Sequence, residues 1–233
     1  MLQILRSGDR FHTRIAWLDS WHSFSFGEHF DPRREGFRNL RVINDDKIAP
    51  AAGFGTHGHR DMEIVSYVVD GVLAHEDSMG NGGNIERGEI QHMSAGTGVQ
   101  HSEKNPQRDR PVHLLQIWLL PSSLGLKPGY GQKLFKADSK RDRLRLVASA
   151  HGRDDSLLLH SDADLYASLL SEGKEVTATL GRSGHGWVQV VSGAVDVNGL
   201  RLQTGDGAAA TKEPTLTLIG RAPETELLVF DLG

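Results

Sequence analysis

An all-β fold is predicted, and three observations predict it. Twenty-seven glycines in 233 residues punctuate short runs rich in Val, Ile and Leu, the rhythm of strands and turns and not of long helices. Helical periodicity is scarce: only 162–170 tempts such a reading, and that segment reads equally well as a strand. A hairpin pattern also recurs in both halves, which divides the chain into two β units.

Taken in order, 64–69 (Ile64-Val65-Ser66-Tyr67-Val68-Val69) and 114–120 (Leu114-Leu115-Gln116-Ile117-Trp118-Leu119-Leu120) are near-continuous apolar runs, as expected of strands buried on both faces. Glu89-Ile90-Gln91-His92-Met93 alternates. Val68-Val69-Asp70-Gly71-Val72-Leu73 is echoed by Val190-Val191-Ser192-Gly193-Ala194-Val195, each a strand, a glycine turn and a returning strand. Gly88-Glu89 reappears as Gly205-Asp206, and 114–119 reappears as Leu227-Leu228-Val229-Phe230-Asp231-Leu232. Three landmarks in the same order indicate a duplication. Between the copies, 121–130 has the Pro/Gly composition of a linker, so the expected domains are 1–125 and 126–233.

Two short alternations in the first half carry the chemistry. His57-Gly58-His59 follows Gly53-Phe54-Gly55-Thr56, and His101-Ser102-Glu103 follows Gly96-Thr97-Gly98. Side chains two apart on a strand share a face, so each pair aims both donors at one point. One strand-turn-strand excursion separates the pairs, and neighbouring strands lie roughly 4.8 Å apart, within reach of a shared ion. His57, His59, His101 and Glu103 are therefore the expected ligands of one metal. Three neutral imidazoles and a carboxylate suit Fe(II), Ni, Cu, Mn or Co and tolerate Zn, with Fe(II) the first expectation, and four protein ligands leave coordination positions open for chemistry. Counting from Gly71 and Gly193 projects His57 and His59 onto Thr179 and Gly181. Counting from Gly88 and Gly205 projects His101 and Glu103 onto Leu218 and Gly220. No ligand stands there, and His185 is the only nearby histidine, so the second half is expected to hold no metal.

Other signals point elsewhere. Gly53-x-Gly55-x-x-Gly58 matches a dinucleotide fingerprint but leads into a strand, which removes the helix that the fingerprint needs. Glu63 reads as a rim acid, with a fifth ligand or an acid behind the ligands as alternatives. His75-Glu76-Asp77 and Asn81-Gly82-Gly83-Asn84 read as a solvated hairpin end, and His92 and His113 as satisfied histidines. Ser94 and Ser102 lack a His-Asp relay at nucleophile spacing. The absence of cysteine excludes disulfides, thiolate metal sites and cysteine nucleophiles. A net charge of −4 offers no general attraction to nucleic acid or an anionic membrane. No apolar run approaches the roughly 18 residues of a membrane span, and the first residues lack a signal-peptide core, so a cytoplasmic location is expected.

The segments Gly53-Phe54-Gly55-Thr56-His57-Gly58-His59-Arg60-Asp61-Met62-Glu63-Ile64 and Met93-Ser94-Ala95-Gly96-Thr97-Gly98-Val99-Gln100-His101-Ser102-Glu103-Lys104-Asn105 resemble the metal-binding motifs of the pirin family in the cupin superfamily. Leu40–Asp46 and Asp77–Asn81 share the resemblance, which is dense from Trp17 to Trp118 and weaker beyond. It implies a bicupin, two β-barrels (double-stranded β-helices) in one chain, with a metal-bearing first barrel and a degenerate second. It also implies His57, His59, His101 and Glu103 as ligands, with Glu63 outside the set. Ser94 near a usual proline and the expanded Gly96–His101 spacing depart from general cupins and agree with pirins.

Bacterial pirins are similar to dioxygenases that cleave quercetin and related flavonols with O2, releasing CO and leaving a depside. The resemblance therefore implies a small aromatic substrate and O2 as partners, Glu103 as proton acceptor, and pocket walls from Phe54, Met93 or nearby strand residues. The alternative that it implies is regulatory, a metal-dependent partner of a transcription factor or metabolic enzyme, docking through Glu63 or the Asn81–Asn84 hairpin. A third is a barrel acting on another small molecule, such as a sugar.

Overall fold

The computed structural model describes residues 1–233 and is built almost entirely of strands. Its helical content is one four-residue turn, Ala137–Lys140, and two 3-10 turns, Ser7–Asp9 and Arg153–Asp155. The ambiguous segment is the strand Ala163–Ser171, pinned along its whole length against Glu224–Leu232. Cross-strand pairing decides there what local propensity leaves open.

Four sheets form two similar barrels. In the first, a seven-stranded sheet runs in the order Gly129–Leu134, Glu89–Ser94, Glu63–Asp70, Val112–Leu119, Leu40–Ile48, Leu18–His22, Phe11–Arg14, and is faced by a four-stranded sheet in the order Gly53–His59, Val99–Lys104, Val72–Asp77, Gly82–Glu86. In the second, the order is Leu2–Leu5, Gly207–Ala210, His185–Ser192, Glu224–Leu232, Ala163–Ser171, Arg145–Ser149, Leu157–Leu158, faced by Glu175–Thr179, Thr215–Gly220, Ala194–Val197, Leu200–Gln203. Strand by strand the two orders correspond except at the last, where Phe11–Arg14 pairs antiparallel and Leu157–Leu158 parallel. Gly71 and Gly193 turn equivalent hairpins with φ of 81° and 83°, a left-handed conformation that glycine adopts freely.

The barrels trade edges. Leu2–Leu5 pairs with Gly207–Ala210 of the second barrel, and Gly129–Leu134 pairs with Glu89–Ser94 of the first. A cut between residues 125 and 126 follows the chain but departs from the sheets at these two strands. The expected linker is loop only to Pro128, because Gly129 and Tyr130 already belong to an edge strand.

The apolar runs are buried on both faces, as their composition predicts. Along Glu63–Asp70, Val65, Tyr67 and Val69 enter a 24-residue core with Ile117, Leu119, Trp187, Leu228 and Phe230, which joins the two large sheets back to back. The alternate residues Ile64, Ser66 and Val68 turn into the first barrel, where Ser66 bonds Glu103 and Val68 joins Leu73, Ile85 and Leu114. The second barrel is filled by Val188, Val190, Val195, Leu202, Leu216, Leu227, Val229 and their neighbours.

Candidate metal centre

Strand register assembles the site. Val99–Lys104 pairs antiparallel with Gly53–His59 so that His101 lies opposite His57 and Val99 opposite His59, with a bulge between His101 and Glu103. The bulge offsets the carboxylate from the imidazoles. The rings of His57, His59 and His101 converge, with centroids 4.4–4.9 Å apart. One nitrogen from each lies within 4.8 Å of the others. Glu103 belongs to a second, overlapping group with His101 and His75. The structure thus gathers the three predicted histidines as one cluster and sets Glu103 beside it, through the shared His101.

Hydrogen bonds prepare these groups for an ion. His57 Nδ1 donates to the Gly55 carbonyl at 2.8 Å, which leaves Nε2 as a free lone pair. His101 Nε2 is buried without any partner, an uncompensated polar atom that a bound cation would satisfy. Burial, assisted by the neighbouring His57, holds His59 down at about 4. Burial and the charges of His57, His59 and His75 hold His101 down at about 3. Both rings are neutral at pH 7, the form that coordinates metal. Glu103 is oriented by Ser66 Oγ, which donates at 3.1 Å, and by Gln116 Nε2, which donates at 2.7 Å. The donor set, nitrogen with one carboxylate, fits a borderline transition metal.

The cluster forms part of the wall of a cavity of about 480 Å³, which Phe26, Phe54, Ile64 and Trp118 also line. The Trp118 ring stands edge-on to His59 with centroids 4.9 Å apart. Phe54 is a wall, as expected. Met93 is not: it is fully buried beside Ile64, Ala95 and Val99 and does not reach the cavity.

Two other expectations are corrected. Glu63 is not on a rim. It is fully buried, accepts from His92 Nε2 at 2.7 Å and Ser94 Oγ at 2.5 Å, and takes the backbone N–H of His160 from the second barrel at 2.9 Å. His75 is not solvated either, because Val72–Asp77 lies between Val99–Lys104 and Gly82–Glu86. Its Nδ1 approaches His101 Nδ1 at 3.5 Å, and its Nε2 faces Asp77 at 3.4 Å. Asn81 fixes that carboxylate, while Gly82, Gly83 and Asn84 are exposed as predicted. His92 and His113 are satisfied, the latter by Asp45 at 2.6 Å.

The residues that sequence reading missed are polar positions inside a barrel. His22, Asn44, Gln116, Ser66 and Gln91 stand opposite one another across five neighbouring strands. For Ser66 and Gln116 the sequence signal was an isolated polar residue within an apolar run; His22, Asn44 and Gln91 stand beside other polar residues and carry no such mark. In the second barrel, the inward-facing pairs of the corresponding strands are Val176 opposite Leu218 and Ala178 opposite Leu216, apolar on both sides. No group of three metal-ligating side chains occurs there.

Comparison with known proteins agrees with this architecture. The Pirin family model matches residues 5–119, and the model described as the quercetinase C-terminal cupin domain matches 146–232. A quercetin 2,3-dioxygenase of Escherichia coli (strain K12) is 43% identical over 232 residues, covering 100% of this chain and 99% of the relative. A pirin-like protein of Caulobacter vibrioides is 38% identical over 217 residues, 93% of each chain. The bacterial pirin YhhW of Escherichia coli, solved in complex with nickel(II), superposes with a TM-score of 0.94 at 42% identity, over 100% of this chain and 99% of that one. With the motifs, the paired barrels and these full-length matches in agreement, the chain belongs to the pirin family of bicupins.

Proposed function

We propose that this protein is a metal-dependent dioxygenase that cleaves a flavonol of the quercetin type with O2, releasing CO. The observation that carries the reading is the cluster of three imidazoles with Glu103 beside a cavity of about 480 Å³ that has flat aromatic walls. That volume is in the range of small-molecule sites. The names of the Escherichia coli relatives support the reaction class, and the nickel(II) complex supports a borderline transition metal. His57, His59, His101 and Glu103 would hold the ion, with iron(II) our first expectation for its identity. When bound, it supplies Lewis acidity and a route for electrons between the substrate and O2.

The chain's own residues supply the rest. Phe54, Ile64 and Trp118 offer apolar surface to planar rings and exclude water from the reacting face. Glu103 takes the proton of the flavonol 3-hydroxyl, with Ser66 and Gln116 fixing its oxygens so that little reorganisation accompanies the transfer. The enolate that remains is the electron-rich form that O2 oxidises. Both oxygen atoms enter the products, and one ring carbon leaves as CO.

The test is an anaerobic metal-loaded preparation given quercetin and then O2, with CO and O2 followed. One CO per O2, abolished in His57→Ala, is expected. No turnover with any first-row divalent metal would contradict the proposal. Glu103→Gln that keeps its metal should lose turnover by roughly 100-fold or more, and full activity in that variant would remove Glu103 as the base.

A further inference from the structure

Away from the imidazoles, the cavity has a polar wall whose hydrogen bonds all run one way. His29 Nε2 meets Thr13 Oγ1 at 2.9 Å, Thr13 Oγ1 meets His22 Nε2 at 2.9 Å, and His22 Nδ1 meets Asn44 Oδ1 at 2.8 Å. Burial keeps His22 neutral, so its one N–H, on Nδ1, donates to Asn44 and its Nε2 accepts from the Thr13 hydroxyl. The Asn44 amide is thereby locked with its oxygen occupied and its NH2 left over. Asn44 lines the cavity, so two donors are available to an occupant. Asp46 follows two residues later on the same strand and faces the same interior. Ser20 donates to its Oδ1 and leaves Oδ2 without a protein partner.

Asn44 stands directly opposite Gln116, the residue that holds Glu103. The wall therefore begins one strand beyond the reacting end, roughly 4.8 Å further along the sheet. In the second barrel the row corresponding to Asn44, Gln116, Ser66 and Gln91 is Tyr166, Val229, Val188 and Ala208, so the fold itself requires no amide at these four positions. Buried polar groups without a structural purpose are costly unless something satisfies them.

Resting on the flavonol reading, we propose that Asn44 and Asp46 form a specificity subsite for a substrate ring bearing two neighbouring hydroxyl groups, remote from the ring that reacts. One hydroxyl shares its proton with Asp46 Oδ2, and its neighbour accepts from the Asn44 amide. A site built to bond hydroxyls discriminates strongly against an analogue lacking them, because its own buried groups are then left unpaired.

The experiment compares 3-hydroxyflavone with 3,3′,4′-trihydroxyflavone on the metal-loaded protein. The Kd is read anaerobically by fluorescence, and kcat and KM are read in air. The wild type should bind the trihydroxy compound at least about tenfold more tightly, the worth of one well-made hydrogen bond. In Asp46→Leu and Asn44→Leu the ratio should fall toward one, with 3-hydroxyflavone affinity retained. Thr13→Val, a half-buried isosteric change that releases the chain orienting Asn44, should lower the ratio in part and keeps the test open if a buried variant does not fold. A wild-type ratio near one with turnover intact, or a ratio unchanged in the variants, overturns the subsite and leaves the dioxygenase standing. Failure of both flavonols to bind or turn over overturns the two together.

Discussion

Asp46 and Glu63 are both carboxylates buried within the same barrel, and their surroundings drive them in opposite directions. Burial, with Asp45 and Glu103 nearby, pushes the Asp46 carboxyl up to about 7 against the partial relief given by Ser20. Burial also acts on Glu63, but hydrogen bonds from His92, Ser94 and the His160 N–H outweigh it and hold that carboxyl below its ordinary value. A folded-state value raised above the unfolded one gives stability that is present below the unfolded value and is lost as pH rises through the folded one. Metal-free Asp46→Asn should therefore gain on the wild type as pH climbs from about 4 to about 7. The gain should be on the order of 4 kcal/mol in denaturant titrations, and the two curves should run parallel above that window. A constant difference across the range would contradict the burial argument. Glu63→Gln tests ligand choice: it should keep one metal per chain while losing about 1–3 kcal/mol of stability, whereas Glu103→Gln should weaken the metal. Metal analysis beside thermal melts separates the two outcomes.

At the scale of the element, the bulge in Val99–Lys104 depends on how closely Gly53 approaches it. A Cβ on Gly53 would lie 2.3 Å from the Glu103 carbonyl oxygen, so Gly53→Ala should displace the strand carrying Glu103. The expected cost is about 1–3 kcal/mol, with weaker metal retention on dialysis, and a variant with native stability and metal content would refute the close approach. The histidine alternations were legible because a period of two is a property of the strand itself. The burial of His75 and Glu63 was not, because it comes from which strands flank Val72–Asp77 and from a backbone N–H nearly a hundred residues away. The exchanged edges escaped notice for a similar reason: Leu2–Leu5 is too short to name its partner. Deleting residues 1–5 should uncover Gly207–Ala210 and remove Leu2 and Ile4 from the second core. A lower Tm and association through the bared edge are expected, with metal content unchanged because the site lies in the other barrel.

For the whole molecule, one architecture is used twice with different interiors. The first barrel lines its inner rows with His22, Asn44, Gln116 and Ser66 and holds a cavity, while the second fills the same space with Val188, Val229 and their neighbours. Between them the shared core, the buried hydrogen bond of Tyr67 to Glu226 and the bond from the exposed Arg87 to the same carboxylate fix one barrel against the other. The duplication was readable from glycine landmarks, because the two hairpin turns keep their place in both barrels. The cavity was not, since it arises from residues on seven strands of the first barrel that only the sheet order brings together. The most direct test is anomalous diffraction from metal-loaded crystals at the absorption edge of the metal. One peak per chain, bounded by His57, His59, His101 and Glu103, is the predicted result. A peak bounded by His75 in place of His57 and His59, or one inside the second barrel, would contradict it.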